Sequence, residues 1–148
     1  MKKVAISACL IGEKCRYDAT DNHDIELMAK LESYELIPFC PEDHAFGSPR
    51  PTMDLIQTQL GIKALSNSTG DDLSTPVEQY ARDFFDEHTD IDLFIGKDRS
   101  PSCGVCSAKL YDQEKNLISD KETGLMAKEA KIRGISSLDA EDFVSMQQ

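Results

Sequence analysis

Cys9, Cys40 and Cys103 each stand just past a short apolar run. Val4-Ala5-Ile6-Ser7-Ala8 leads into Cys9, and Leu36-Ile37-Pro38-Phe39 leads into Cys40. Ile91-Asp92-Leu93-Phe94-Ile95-Gly96 leads into Arg99-Ser100-Pro101-Ser102-Cys103-Gly104-Val105-Cys106. Runs of this length, closed by Gly, Pro or Ser, read as buried strands that end in tight loops. If the strands are parallel, these thiols meet at one sheet edge. The chain carries 5 cysteines, and in a reducing compartment thiols at loop positions more often bind metal or catalyse than form disulfides. Any one of them alone reads better as a small buried hydrophobe. The repetition at successive strand ends is what points to a shared site.

Thiolates gathered at one edge suit a soft metal, either zinc or an iron–sulfur cluster. Structural zinc favours paired Cys-x2-Cys knuckles with four ligands, and only Cys103 and Cys106 form such a pair, which argues against a zinc ribbon. Three protein cysteines on a four-iron cluster leave one iron open to a substrate atom, so such a site is catalytic rather than purely electron-transferring. Glu42, two residues beyond Cys40, has the reach for general acid or base work. Ser100 and Ser102 flank Cys103 and can hydrogen-bond a polar substrate. Each also has a plainer reading: Glu42 as a solvated loop carboxylate, the serines as closers of their own turn. His44 is the weaker candidate. Arg50, in the irregular stretch Ala45 to Pro51, is equally a fixed cation at the site or a solvated turn residue.

The elements that must position these residues alternate. Lys3 to Ala8 is expected as a strand apolar on both faces, followed by a loop and a helix capped at Asp24 and running to about Glu32. Glu35 to Phe39 is the second strand, stopped by Pro41. Ile62 to Leu65 is a short strand and Asn67 to Ser74 a polar turn. Thr75-Pro76-Val77-Glu78 reads as a capping box with Thr75 at the N-cap, opening a helix to about His88. Ile91 to Ile95 is the third strand, Ala108 to Tyr111 a strand or an extended segment, and Thr123 to Arg133 a helix with Gly134 as its C-cap. Ile135 to Leu138 and Ala140 to Met146 close the chain as strand and helix. This alternation predicts an α/β fold, a Rossmann-like three-layer sandwich with a mainly parallel sheet, and one domain over residues 1–148. In such sheets ligands bind beyond the carboxyl ends of the strands at a topological switch point, where the cysteines fall.

The composition is that of an ordinary globular protein, 40% hydrophobic and 29% charged, with no apolar run long enough to span a membrane. Met1-Lys2-Lys3 followed by apolar residues resembles a signal-peptide start, but the run meets Gly12-Glu13-Lys14 without a cleavage-like site, and the expected location is the cytoplasm. With 16 basic residues against 27 acidic ones, the net charge of −11 argues against nucleic acid as a partner.

Ser7-Ala8-Cys9-Leu10-Ile11-Gly12, Cys15-Arg16-Tyr17-Asp18, Cys40-Pro41-Glu42, Pro49-Arg50-Pro51 and Lys97-Asp98-Arg99-Ser100-Pro101-Ser102-Cys103-Gly104 together resemble the thiouracil desulfidase family. The resemblance runs over nearly the whole chain. It implies a [4Fe–4S] cluster on Cys9, Cys40 and Cys103, with Glu42 as catalytic carboxylate and Ser100, or the neighbouring Ser102, as catalytic serine. The implied substrate is a small thiocarbonyl compound, a thiolated pyrimidine base or its nucleotide, whose sulfur is released as sulfide. The sequence departs from the family pattern at Asp43 to Ser48, before Pro-Arg-Pro, and in the extra thiol of Cys106. Two rival readings remain: a thiol redox protein using Cys103 and Cys106, and a metal-stabilised binding module without catalysis.

Overall fold

The computed structural model describes residues 2–14, 18, 23–47 and 50–146. Cys15, Arg16, Tyr17, Ser48 and Pro49 lie outside them. The elements in chain order are β1 (Lys3–Ser7), α1 (Ile25–Lys30), β2 (Glu35–Phe39), α2 (Pro41–Phe46), β3 (Met53–Thr58), β4 (Gly61–Ser66), α3 (Ser74–Glu87), β5 (Leu93–Gly96), β6 (Ala108–Tyr111), β7 (Leu117–Glu122), α4 (Leu125–Ile132), β8 (Ser136–Asp139) and α5 (Ala140–Met146).

One sheet has the order β2-β1-β5-β8 and is parallel throughout. From β1 the chain moves out to β2 on one side and later to β5 and β8 on the other, so the topological switch lies at β1. Side chains alternate across a strand, and here the two faces are clear. Val4, Ile6 and Ile95 pack with Leu27, Leu31 and Phe143 on the side of α1 and α5. Ala5 and Phe94 pack with Ala81, Phe84 and Phe85 of α3 and Met126, Ala127 and Ala130 of α4 on the other. The expected helix–sheet–helix layering is present. Pro38 is tolerated in β2 because that strand is at the sheet edge, where a missing donor breaks no ladder.

A second, mixed sheet of order β4-β3-β6-β7 was not expected from the sequence. The β3–β4 and β6–β7 pairs are antiparallel and β3–β6 is parallel. Met53, Leu55, Ala64, Ala108 and Leu110 bury against Val77 of α3 and Leu125 of α4, which attaches this sheet to the helix layer behind the first.

Two local expectations are corrected. The segment after Cys40 is helical rather than a loop: Pro41 occupies the first turn of α2, where its missing N–H costs nothing. The capping box at Thr75 does not form. α3 starts at Ser74 with Leu73 at its N-cap, and Asp72 instead accepts the Ser74 N–H at 2.9 Å. No helix among the described residues is long and apolar enough to cross a membrane.

Candidate functional site

Register brings the strand ends level. Ser7 pairs with Phe39 across β1 and β2, and Ile6 pairs with Ile95 across β1 and β5. The residues that follow all enter one cleft of about 350 Å³, whose lining includes Cys9, Cys40 and Cys103. Cys9 sits in a single 3-10 turn, Ala8–Ile11, closed by Gly12 at φ 99°. Cys40 is the N-cap residue of α2, with extended backbone and a sulfur that does not cap the helix. Cys103 is 6% exposed in the loop after β5.

That loop is braced from several directions. A Cβ on Gly96 would lie 1.7 Å from the Cys103 carbonyl oxygen, so the strand end can only be Gly if the loop is to fold back over it. Arg99 takes φ 66°, a left-handed conformation uncommon for a side-chain-bearing residue, and its N–H donates to Ser107 Oγ at 2.8 Å. The Ser100 hydroxyl accepts the N–H groups of Ser102 at 3.2 Å and Cys103 at 3.1 Å. Leu125 and Met126 at the start of α4 donate to the carbonyls of Pro101 and Ser102 at 3.0 and 2.7 Å, so the loop satisfies N–H groups the helix cannot satisfy itself. Behind Cys103, the buried Asp139 carboxylate accepts from Val105 N at 2.7 Å and Cys106 N at 3.0 Å.

Glu42 and Ser102 meet although 60 residues separate them. Ser102, 0% exposed, donates to Glu42 Oε2 at 2.9 Å. Arg50 Nε stands 3.9 Å from the other carboxylate oxygen, and the two side chains are 6% and 17% exposed. Burial pushes the Glu42 carboxyl above the usual range, while the Arg50 charge and the Ser102 hydrogen bond pull it back. Burial also pushes the Cys103 thiol well up, with the nearby Cys40, Glu42 and Cys9 adding to it and a hydrogen bond from Ser7 opposing them. Acidic groups crowded together out of water resist ionising, and a bound cation is what would let them do so.

The sequence-derived candidates therefore divide. Cys9, Cys40, Cys103, Glu42, Ser100 and Arg50 line the cleft, and Ser102 stands behind Glu42. His44 is exposed, its ring 5.0 Å from that of Tyr80. Cys106 points away, to Asp139 and Asp142 at 3.4 and 3.7 Å. Loss of solvent, and then these carboxylates, raise its thiol to about 11, the opposite of the lowered value that a reactive redox cysteine needs.

A protein-family model described as 2-thiouracil desulfurase matches residues 4–142. The chain belongs to this desulfurase family. A solved structure described as the [4Fe-4S]-dependent thiouracil desulfidase TudS is 24% identical, covers 99% of this chain and 97% of its own, and superposes with a TM-score of 0.78. That likeness carries the fold, with both sheets. No curated protein matches the chain. The sequence singles out the cysteines, Glu42 and the loop serines, but residues that hold them went unnoticed in it. Ser7, Tyr80 and Asp139 are of this kind. Tyr80 accepts the Cys40 N–H at 3.3 Å from helix α3, a contact that no local pattern encodes.

Proposed function

We propose that this protein is an iron–sulfur-dependent desulfidase that removes sulfur from a thiouracil-type pyrimidine. The observation that carries the reading is the convergence of Cys9, Cys40 and Cys103 on one cleft beside Glu42. The donor set fits a [4Fe–4S] cluster: it is all thiol, it offers three ligands, and Phe39, Pro41, Met53 and Pro101 give the cleft apolar walls. Spacing supports this too. Among the described residues only Cys106, Asp139 and Asp142 bring their donor atoms within 4.8 Å of one another, so at least one pair of the cleft sulfurs is wider apart. Ligands of a single tetrahedral zinc would sit about 3.8 Å apart. When bound, such a cluster supplies an iron without a protein ligand, a Lewis acid with affinity for a soft thiocarbonyl sulfur.

The chain's own residues supply the rest. The net reaction adds water across the thiocarbonyl carbon and releases sulfide, leaving the carbonyl base. Water must lose a proton as it attacks, and Glu42 is the cleft base placed to take it. Ser102 fixes which way that carboxylate faces. Ser100 uses its oxygen to accept two backbone N–H groups, which leaves its own proton to donate to a substrate oxygen or nitrogen.

The cleft walls add a preference. Arg50, Lys97 and Arg99 line it in a chain of net charge −11. Arg50 is engaged with Glu42, Asp43 and the Gly47 carbonyl, which leaves Lys97 and Arg99 as the wall cations to meet an incoming anion. A thiolated nucleotide is therefore favoured over the free base, and the acidic remainder of the surface disfavours thiolated RNA.

The test is anaerobic purification, assay of iron and acid-labile sulfide, and incubation with 2- and 4-thiouracil and their monophosphates. Equimolar sulfide and uracil product from cluster-loaded protein is expected. Stoichiometric zinc with no cluster, or a loaded protein that turns over none of these compounds, overturns the proposal.

A further inference from the structure

Asp139 ends β8 level with Gly96 of β5, so the Cys103 loop leaves the sheet beside it. It is 1% exposed, and its two carboxylate oxygens accept the N–H groups of Val105 at 2.7 Å and Cys106 at 3.0 Å. The Val105 carbonyl, which belongs to the same peptide unit as the Cys106 N–H, is held from the other side. Lys131 Nζ of α4 donates to it at 2.8 Å and Thr123 Oγ1 at 2.9 Å. Lys131 also donates to the Thr123 hydroxyl at 2.8 Å, which leaves the Thr123 proton for the carbonyl. One peptide unit close to Cys103 thus carries a carboxylate on its N–H and an ammonium on its C=O. Resting on the cluster-binding reading above, we propose that Asp139 and Lys131 are positioning residues for the cluster, gripping the Val105–Cys106 peptide from opposite ends so that Cys103 is in place before iron arrives.

The placement of the charges makes this a clamp. A peptide dipole is positive at its N–H and negative at its C=O, so an anion at the first and a cation at the second each sit at the favourable end. Hydrogen bonds to charged groups are stronger than neutral ones, and bonds at the two ends of one amide polarise each other. The loop needs that support. Gly104 is a close approach, since a Cβ there would lie 2.9 Å from the Ser100 carbonyl oxygen, and glycine gives the chain beside Cys103 more freedom than any other residue. Fixing the next peptide from β8 on one side and α4 on the other removes that freedom. The loop is then ordered on folding, and cluster binding does not have to order it.

The experiment measures iron loss to a chelator from anaerobically loaded wild type, Asp139→Asn, Lys131→Met and the double variant, and records the electron paramagnetic resonance spectrum of each reduced cluster at matched iron content. Each single variant is expected to load and then to lose iron roughly tenfold faster, the effect of one charge-assisted hydrogen bond, with a spectrum altered by the shifted ligand. Both charges act on one peptide, so freeing either end frees it, and the double variant should lose iron hardly faster than Asp139→Asn. Lys131→Arg, which keeps a cationic donor, should restore wild-type loss. If Asp139→Asn does not fold, Lys131→Met against Lys131→Arg carries the test through the same two readouts. Losses that multiply in the double variant, or a Lys131→Met protein with wild-type loss and spectrum, overturn the inference and leave the functional reading intact. Wild-type protein that takes up no iron overturns both.

Discussion

Ser102 and Glu42 form a part-buried pair in which a fully enclosed hydroxyl donates to a carboxylate oxygen at 2.9 Å. The serine comes from the loop after β5 and the carboxylate from the first turn of α2, so the bond ties two of the three strand ends that carry cysteines. Burial makes the ionised carboxylate costly, and a bond to its charged form recovers part of that cost. The result is a base whose proton affinity is raised and whose orientation is fixed. Both properties suit proton abstraction at neutral pH.

Glu42→Gln keeps the shape and cannot accept the proton. Cluster content and substrate affinity should be unchanged and turnover lower by about 10²- to 10⁴-fold. Ser102→Ala removes one hydrogen bond to a charged group, worth about 1.5–3 kcal/mol, so a fall of roughly tenfold or more in turnover is expected. Single-turnover kinetics on iron-matched samples measure both. Wild-type turnover in loaded Glu42→Gln removes the carboxylate from the chemistry.

The ligand assignment makes a separate prediction. Serine in place of Cys9, Cys40 or Cys103 should abolish iron retention, whereas Cys106→Ser should keep it, because the Cys106 sulfur faces Asp139 and Asp142 and not the cleft. Iron analysis after anaerobic reconstitution decides the matter. An essential Cys106 together with a dispensable Cys40 would contradict the assignment.

What was legible in the sequence was whatever a local pattern encodes. β1, β2 and β5 announce themselves as apolar runs, and the cysteines beyond them follow from chain order once the strands are parallel. β7 could not be read: nothing in Leu117–Glu122 alternates cleanly, and Leu117 and Ile118 are both exposed, because the strand sits at the edge of its sheet and buries little. β3 was lost for a related reason. Its Asp54 and Gln57 interrupt the apolar pattern, and its identity as a strand comes from pairing with β4 and β6. At the site, Cys and Glu declared their chemistry by type. Ser102 did not, since a serine in a Ser-Pro-Ser loop reads equally as a turn closer, which Ser100 in part is. Separating the two required knowing that α2 lies across from the loop.

Gly96 is a stability prediction. A methyl group there would meet the Cys103 carbonyl carbon and oxygen at 2.8 and 1.7 Å, and both are backbone atoms that cannot move aside without displacing the loop. Gly96→Ala should destabilise the fold by several kcal/mol, in the range of severe core changes, and reduce iron uptake in whatever protein remains folded. Denaturant melts of the apoprotein measure the first effect. A melt within about 0.5 kcal/mol of wild type would mean the loop relaxes freely.

Cys106 gives a pH prediction. With its thiol raised to about 11 by burial and two carboxylates, the reactive thiolate at pH 8 should be about 10²-fold scarcer than for a free thiol of pKa about 8.5. Alkylation should be correspondingly slow at pH 8 and accelerate as pH rises toward 11. Asp142→Asn removes one of the opposing charges and should speed it. Rapid alkylation of Cys106 at pH 7 would revive a redox role for the Cys103-Gly104-Val105-Cys106 pair.

Substrate charge is the last prediction. Lys97 Nζ donates to a neutral oxygen, the Asp98 carbonyl, at 3.1 Å and forms no salt bridge among the described residues, so its charge can turn to an anion in the cleft. Arg99 is half exposed and shares its charge with Glu141 at 3.1 Å. A phosphate reaching this wall would compete with Glu141 for Arg99 and with the charge of Asp98 for Lys97. Lys97→Met should therefore raise KM for a thiolated monophosphate roughly three- to tenfold, the effect of about 1 kcal/mol for a partly solvated ion pair, and leave KM for the free thiolated base nearly unchanged. Added salt should weaken nucleotide use by wild type more than by the variant, since screening removes what the substitution has already removed. Equal losses for base and nucleotide would make Lys97 a structural part of the cleft wall, and preference for the free base by the wild-type protein would place the phosphate outside this site altogether.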